Sequence, residues 1–202
     1  MTSDAFFSER ELAWVFNQLP VGFAFIDGMH LFEYALRDFV NVERLAHPGS
    51  LIVMHDCLPA SEEMTSREYL PSLQRWTGDG WKVLYYLIEE RPDLRMSVLD
   101  APPKGLTVIQ PIDPKRDRPD GEIDSIIDRY KALTYDDFLS LRVSLAPVPL
   151  TGSALDGVFP PTPFGTLTTE VRIRRVGLGF RRSVMASALG PRLRTIRRPT
   201  RR

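Results

Sequence analysis

The sequence predicts an α/β fold: a mostly parallel sheet of about four strands with flanking helices, followed by an irregular tail. Three observations predict it. Two short apolar runs, Val21–Ile26 and Leu51–Met54, stop abruptly at polar pairs, Asp27-Gly28 and His55-Asp56. A stretch of helical periodicity, Leu31–Leu45, separates them, and strand, helix and strand within about 35 residues form a βαβ unit with parallel strands and a right-handed crossover. Beyond about Ala146, prolines at 147, 149, 160, 161 and 163 break any regular pattern.

Each element has its own signal. Ser8–Asn17 reads as a helix capped by Ser8, with Leu12, Val15, Phe16 and Leu19 on one face, and Pro20 stops it. Val21–Ile26 lacks alternation, which predicts a strand buried on both faces. In Leu31–Leu45 the apolar stripe is Leu31, Tyr34, Ala35, Phe39 and Val42, with Arg37, Asp38, Glu43 and Arg44 largely off it. The His47-Pro48-Gly49 turn ends that helix and places His47 at the surface. Leu51–Met54 is the second buried strand, and Cys57–Gly78 a polar loop. Asp79–Glu90 is a helix with Asp79 as N-cap. Met96–Leu99 and Gly105–Gln110 are strands on either side of a Pro102-Pro103 turn. Gly121–Leu133 is amphipathic on Ile123, Ile126, Ile127 and Tyr130, and Thr134–Leu145 is a further helix capped by Thr134 or Asp136. Residues 1–146 are expected to form the domain, and 147–202 a disordered linker and tail with short helical turns around Arg181–Leu189.

Composition narrows the class. Of 202 residues, 43% are hydrophobic and 26% charged, a globular balance. No apolar run approaches the ~20 residues of a bilayer span. The N-terminus carries acids and lacks a basic n-region, and the single Cys57 permits no intrachain disulfide, so a cytoplasmic protein is expected. The overall charge of zero conceals an asymmetry. Val171–Arg202 holds eleven arginines and no acid, which leaves 15 basic against 26 acidic residues elsewhere, a net of −11. Such a tail would meet nucleic acid or an anionic surface, or be solvated, or fold back on the acidic body, and the last two are expected over the first. It lacks the aromatic interleaving of a nucleic-acid surface.

The chemistry gathers at the strand ends. In an open α/β sheet the carboxyl ends of the strands form the ligand side. Neighbouring strands lie ~5 Å apart, so Asp27 and Asp56 converge there with His55 and His30 nearby. Two carboxylates that close share a proton or hold a cation between them. Oxygen donors suit Mg²⁺, and an added imidazole admits Mn²⁺, Fe²⁺ or Zn²⁺. The same two acids would serve as caps of the segments that follow. Gly28 lets the backbone turn sharply beside a ligand. Cys57 reads as a small buried residue rather than a nucleophile. In "RWTGDGWK", Arg75–Lys82, Trp76 and Trp81 bracket a Gly-Asp-Gly turn, either as an aromatic wall over the crevice or as anchors in the core.

"FAFIDGMHLFEYALRDF" and "HPGSLIVMHDCLP", followed by "WTGDGWK" and "RPDL", resemble the C-terminal half of class I S-adenosylmethionine-dependent methyltransferases. The likeness is to the bacterial branch in which IDG-x-H ends the fourth strand and HD the fifth, and it covers about Ser3 to Tyr130. It implies a Rossmann-like sheet with S-adenosylmethionine bound at its switch point, Asp27 and Gly28 lying on the donor side. In metal-using relatives it implies a divalent cation, Mg²⁺ or Mn²⁺, held by Asp27 and Asp56 to orient the hydroxyl of a small-molecule acceptor. His55 would be the general base or a substrate contact, and His30 would line the same mouth. The family's glycine-rich first strand has no counterpart here, and Gly80 stands where the family's WTGD-V-W carries valine. A truncated sheet is therefore expected, with Val21–Ile26 as an open edge that invites pairing, including with a second copy. The expected function is O-methyl transfer. The alternatives are a non-catalytic interaction module, or a metal-dependent hydrolase or hydroxylase on the same site.

Overall fold

The structure, a computed structural model, describes residues 2–9, 19–69, 71, 75–110, 120–155 and 158. The chain divides into two compact units, Met1–Pro161 and Thr162–Arg202, and the second lies wholly outside the described residues. The arginine-rich tail and its expected helical turns fall there. Leu12, Val15 and Phe16 of the expected first helix also lie outside the described residues; Ser8, its expected cap, lies inside α1 (Ser3–Glu9).

The fold is α/β and Rossmann-like. After α1 come β1 (Val21–Ile26), α2 (Phe32–Leu45), β2 (Ala46–His55) and a 3₁₀ turn at Glu62–Thr65. Then follow α3 (Lys82–Glu90), β3 (Arg95–Asp100), β4 (Leu106–Gln110), α4 (Asp120–Tyr130), α5 (Tyr135–Leu145), β5 (Val148–Pro149) and the short α6 (Gly152–Leu155). The sheet order is β1-β2-β4-β3-β5. β1 and β2 pair parallel, β4 runs antiparallel to both its neighbours, and β5 is parallel to β3. Four of the five strands therefore share one direction.

The fifth strand lies in the segment expected to be linker. Leu99 pairs with Val148 and Asp100 with Pro149. Proline is tolerated there because a two-residue edge strand leaves its missing N–H facing outward. Val158 is buried beside Leu99 and Val108, with Val148 and Leu155 packed against them, so folded structure continues beyond residue 146.

One sheet face carries the main core. Ile26, Ile52, Met54, Val98 and Ile109 meet Phe32, Leu36, Phe39 and Val40 of α2, Leu84 and Leu87 of α3, and side chains of α4 and α5. The buried stripe of α2 is Phe32, Leu36, Phe39, Val40 and Glu43, rotated from the expected one. On the other face Val53, Leu99 and Val108 are covered, but β1 is not. Phe23 and Phe25 are 61% and 52% exposed. β1 is thus an edge strand with one bare face, not the doubly buried strand expected from its unbroken apolar run. The run reports what the strand can bury, not what covers it.

Two local details correct the sequence reading. The His47-Pro48-Gly49 turn does not separate helix from strand. It forms a bulge inside β2, where the register jumps from Val21↔Ala46 to Phe23↔Leu51 and the Ser50 hydroxyl donates to the Val21 carbonyl at 2.5 Å. Glu43, expected off the apolar stripe, is 2% exposed and receives both terminal nitrogens of the fully buried Arg91, at 2.5 and 2.9 Å. Arg91 also donates to Asp93, so the RPDL turn is tied to α2. No helix among the described residues is long and apolar enough to cross a membrane.

A buried ion pair broken on one side leaves an uncompensated charge. Glu43→Ala should therefore destabilise the chain by about 3–5 kcal/mol in chemical denaturation. A loss under about 1 kcal/mol, the range of an exposed pair, would contradict this account of the pair.

Candidate functional site

The register carries two chemically loaded strand ends to one place. Ile26 lies opposite Met54, so the next residues out, Asp27 and His55-Asp56, emerge side by side at the carboxyl ends of β1 and β2. The chain then turns sharply at each end. The His30 N–H folds back onto the Gly28 carbonyl, and His30 and Asp56 both adopt left-handed backbone, with φ of 56° and 60°. Non-glycine residues seldom hold that conformation unless surrounding structure enforces it, and such sites concentrate at functional positions.

All four expected residues meet. His55 Nδ1 is hydrogen-bonded to Asp27 Oδ1 at 3.1 Å and lies 2.9 Å from Asp56 Oδ1. His30 Nδ1 is 2.6 Å from Asp56 Oδ2, and its Nε2 is 3.5 Å from Asp27 Oδ1. Each imidazole thus faces both carboxylates. Contact with Asp27 first, and with Asp56 next, raises His30 and His55 to about 9 against the opposing effect of burial. The same contacts, His30's foremost, hold Asp27 well below the usual carboxylate range. Burial pushes Asp56 up, but the two histidines outweigh it and bring it to about 2. Cys57 is buried, and loss of water raises its thiol to about 12, which fits a packing role.

What enforces His30 is the tryptophan loop. Gly80 N–H donates to the His30 carbonyl at 3.1 Å. Gly78 sits at φ +58°, where a Cβ would fall 2.1 Å from that same oxygen, so only glycine fits there. Asp79 does not cap the backbone of the helix it precedes. Its Oδ1 accepts the Phe32 N–H at 2.9 Å and so caps α2, while Oδ2 takes Arg67 at 2.6 Å and Lys82 at 3.0 Å. The expected capping of α3 by Asp79 is replaced by a cap across 47 residues, and α3 starts at Lys82. The two tryptophans divide the two readings of the loop between them. Trp76 stacks on His30 with centroids 5.2 Å apart and planes at 3°, while Trp81 is buried in the core.

Sequence reading missed Lys104 and Tyr69. Lys104 Nζ lies 3.3 Å from Asp56 Oδ2 and 2.8 Å from the Trp76 carbonyl, and the Tyr69 ring meets Trp76 edge-on. Neither carries a local motif: Lys104 arrives from a turn 48 residues beyond Asp56, and Tyr69 sits in the same polar loop as Trp76. Gly28, expected on the donor side, faces Asp38, whose Oδ2 would lie 3.4 Å from an added Cβ. Two clefts elsewhere on the molecule, lined by Arg37 and Asp124 of α2 and α4 among others, contain none of the clustered residues.

The donor set suits a cation. One ligand atom each from Asp27, His30 and Asp56 lie within 4.8 Å of one another. His30 Nδ1 and Asp56 Oδ1 are buried, and their close contacts are not aligned as hydrogen bonds, so both retain bonding capacity. Two carboxylate oxygens would suit Mg²⁺, and with the imidazole of His30, once it has given up its proton, they would suit Mn²⁺ or a neighbouring transition ion.

The shifts fix the expected pH behaviour. The imidazoles are raised, so their contacts stabilise the fold fully below the ordinary 6.5, and that contribution disappears as pH rises through about 9. The carboxylates are lowered, so theirs is complete above 3.8 and disappears as pH falls, through about 2 for Asp56. In EDTA-treated protein, imidazole NMR titration should place His30 and His55 near 9 and return both toward 6.5 in Asp27→Asn. Wild-type midpoints near 6.5 would refute the four-residue geometry.

None of the curated proteins compared matches the chain. A family model described as a methyltransferase domain does match, over residues 2–57, the span that contains Asp27, His30, His55 and Asp56.

Proposed function

We propose that this chain supplies the acceptor and cation side of a cytoplasmic S-adenosylmethionine-dependent methyltransferase that transfers a methyl group to the hydroxyl of a small molecule. The observation that carries the reading is the convergence of Asp27, His30, His55 and Asp56 at adjacent strand ends, inside the segment that matches a methyltransferase domain.

Asp27, His30 and Asp56 would hold a divalent cation, Mg²⁺ or Mn²⁺. Such an ion supplies positive charge that lowers the pKa of an acceptor hydroxyl. The residues themselves do the rest. Asp27 and Asp56 orient the His55 ring by its Nδ1, which turns Nε2 away from the carboxylates toward the acceptor; the ring, raised to about 9 in the metal-free protein, would take the hydroxyl proton once the positive charge of a bound cation has brought it back down. Trp76 stacked on His30 covers one side of the mouth and keeps water off that imidazole. The described residues do not by themselves complete a pocket for the methyl donor. Asp27 is engaged by both histidines, Gly28 faces Asp38, and β1 is the open edge of the sheet.

Thermal unfolding of the full chain with Mn²⁺ tests the cation site. Saturation at about 100 times Kd should stabilise it by about 2.7 kcal/mol, and Asp56→Ala should abolish the effect. Equal stabilisation of the wild type and Asp56→Ala would remove the cation from the mechanism. Calorimetric titration of the full chain with S-adenosylmethionine in the presence of Mn²⁺ tests whether residues beyond the described ones complete the donor pocket, and binding heat would support the methyltransferase reading. An absence of heat at high micromolar donor would favour a second reading.

That second reading is an interaction module, and β1 is the feature that favours it. Between Leu19 and Ile26 the strand has no charged residue, and Phe23 and Phe25 are exposed on its bare face. Edge strands normally carry charge to prevent pairing. A second copy added along β1 would give a dimer in light scattering that Phe25→Lys returns to monomer. A wild type that is monomeric at tens of micromolar would exclude self-pairing.

A further inference from the structure

We propose that Lys104 is a positioning residue that couples the Trp76 loop to Asp56 and thereby sets the geometry of both carboxylate and imidazole in the cluster. The inference rests on the reading of Asp27, His30 and Asp56 as cation ligands.

Lys104 stands in the turn between β3 and β4, and that turn is held against the segment leaving β2. The Leu58 N–H donates to the Lys104 carbonyl at 2.7 Å. The next residue, Gly105, has φ +76°, and a Cβ there would meet Leu58 Cγ at 2.5 Å. The backbone approach is therefore one that only glycine permits, and it delivers the lysine to the strand end.

The ammonium then makes two contacts of different kinds. It donates to Asp56 Oδ2 at 3.3 Å and to the Trp76 carbonyl at 2.8 Å. Its side chain is only 15% exposed, so these partners replace most of its water. Oδ2 is the oxygen that Lys104 and His30 share, while Oδ1 is the buried atom left without an aligned hydrogen bond. Holding Oδ2 fixes the carboxylate plane and with it Oδ1, which lies 2.9 Å from His55 Nδ1. Holding the Trp76 carbonyl fixes the loop whose indole lies flat on His30, and the Trp76 ring nitrogen is anchored a second time, on the Ser66 carbonyl at 2.6 Å. One lysine thus acts on two of the three candidate ligands, directly on Asp56 and through Trp76 on His30.

The sign of its effect on a cation separates positioning from mere proximity. A like charge beside a ligand weakens cation binding, so a lysine that contributed only charge would, on removal, tighten it. A positioning residue does the opposite, because loss of an outer-shell partner costs about 10–100-fold in metal affinity.

The test uses the full chain, with Mn²⁺ as probe, in Lys104→Met and Lys104→Arg. Lys104→Met should bind Mn²⁺ at least about tenfold more weakly, and Lys104→Arg should recover most of the loss. In metal-free protein, Lys104→Met should also shift the NMR signals of the Trp76 indole N–H and the His30 ring. Lys104→Gln serves if the Met variant does not fold. Tighter or unchanged Mn²⁺ binding in Lys104→Met would overturn the proposal. If the wild type binds no Mn²⁺, the cation reading fails alone. The NMR comparison then decides, and unshifted Trp76 and His30 signals would overturn the positioning role.

Discussion

The parallel pairing that sets Ile26 against Met54 governs this molecule. Side chains alternate along a strand, and a slip of one residue would send Asp27 and His55 to opposite sides of the sheet. The bulge at His47–Ser50 absorbs the surplus residues at the start of β2, so that the register is correct where the chemistry lies. Ser50 closes that bulge by accepting the His47 N–H at 2.8 Å while donating to Val21. A feature at one end of the strand pair thus secures the alignment at the other.

The loops that follow the strands complete the site by mutual constraint. The Gly78-Asp79-Gly80 turn wraps the His30 carbonyl, and Asp79 caps the helix that begins two residues after His30. An end of α2 that would otherwise present unsatisfied N–H groups is closed by a carboxylate from a distant loop. Arg67 joins Asp79 to Glu33 in the first turn of the same helix. The left-handed backbone at His30 persists because these contacts outweigh its cost, of order 1–3 kcal/mol. The concentration of strain and strong polar contacts around one cluster is what distinguishes the site from the clefts along α2 and α4.

A second ionic anchor sits at the opposite end of α2. Arg91, fully buried, fills the space beside Phe39 with its guanidinium 6.0 Å from the ring and pairs with Glu43 and Asp93. The planar fork of arginine matches a carboxylate in two parallel bonds, which a lysine would not reproduce. This pair explains why the apolar stripe of α2 appears shifted. Glu43 takes a core position because its partner arrives from the α3–β3 turn, and neither residue's own neighbours reveal that.

Local sequence by itself determined the strand–helix–strand order, the strand ends at Asp27 and Asp56, and the capped start of α5 at Thr134. Apolar runs, turn residues and periodicity act over a few positions, and those features depend on nothing farther away. The Thr134–Asp137 capping box is one such case, closed within four residues. Tertiary structure alone decided the bare face of β1, the strand at Val148–Pro149, the burial of Glu43, the role of Asp79 at α2 and the arrival of Lys104 at Asp56. Each depends on a partner brought close by the fold from tens of residues away. Hydrogen bonding and burial respond to distance in space, and a linear pattern does not encode that distance.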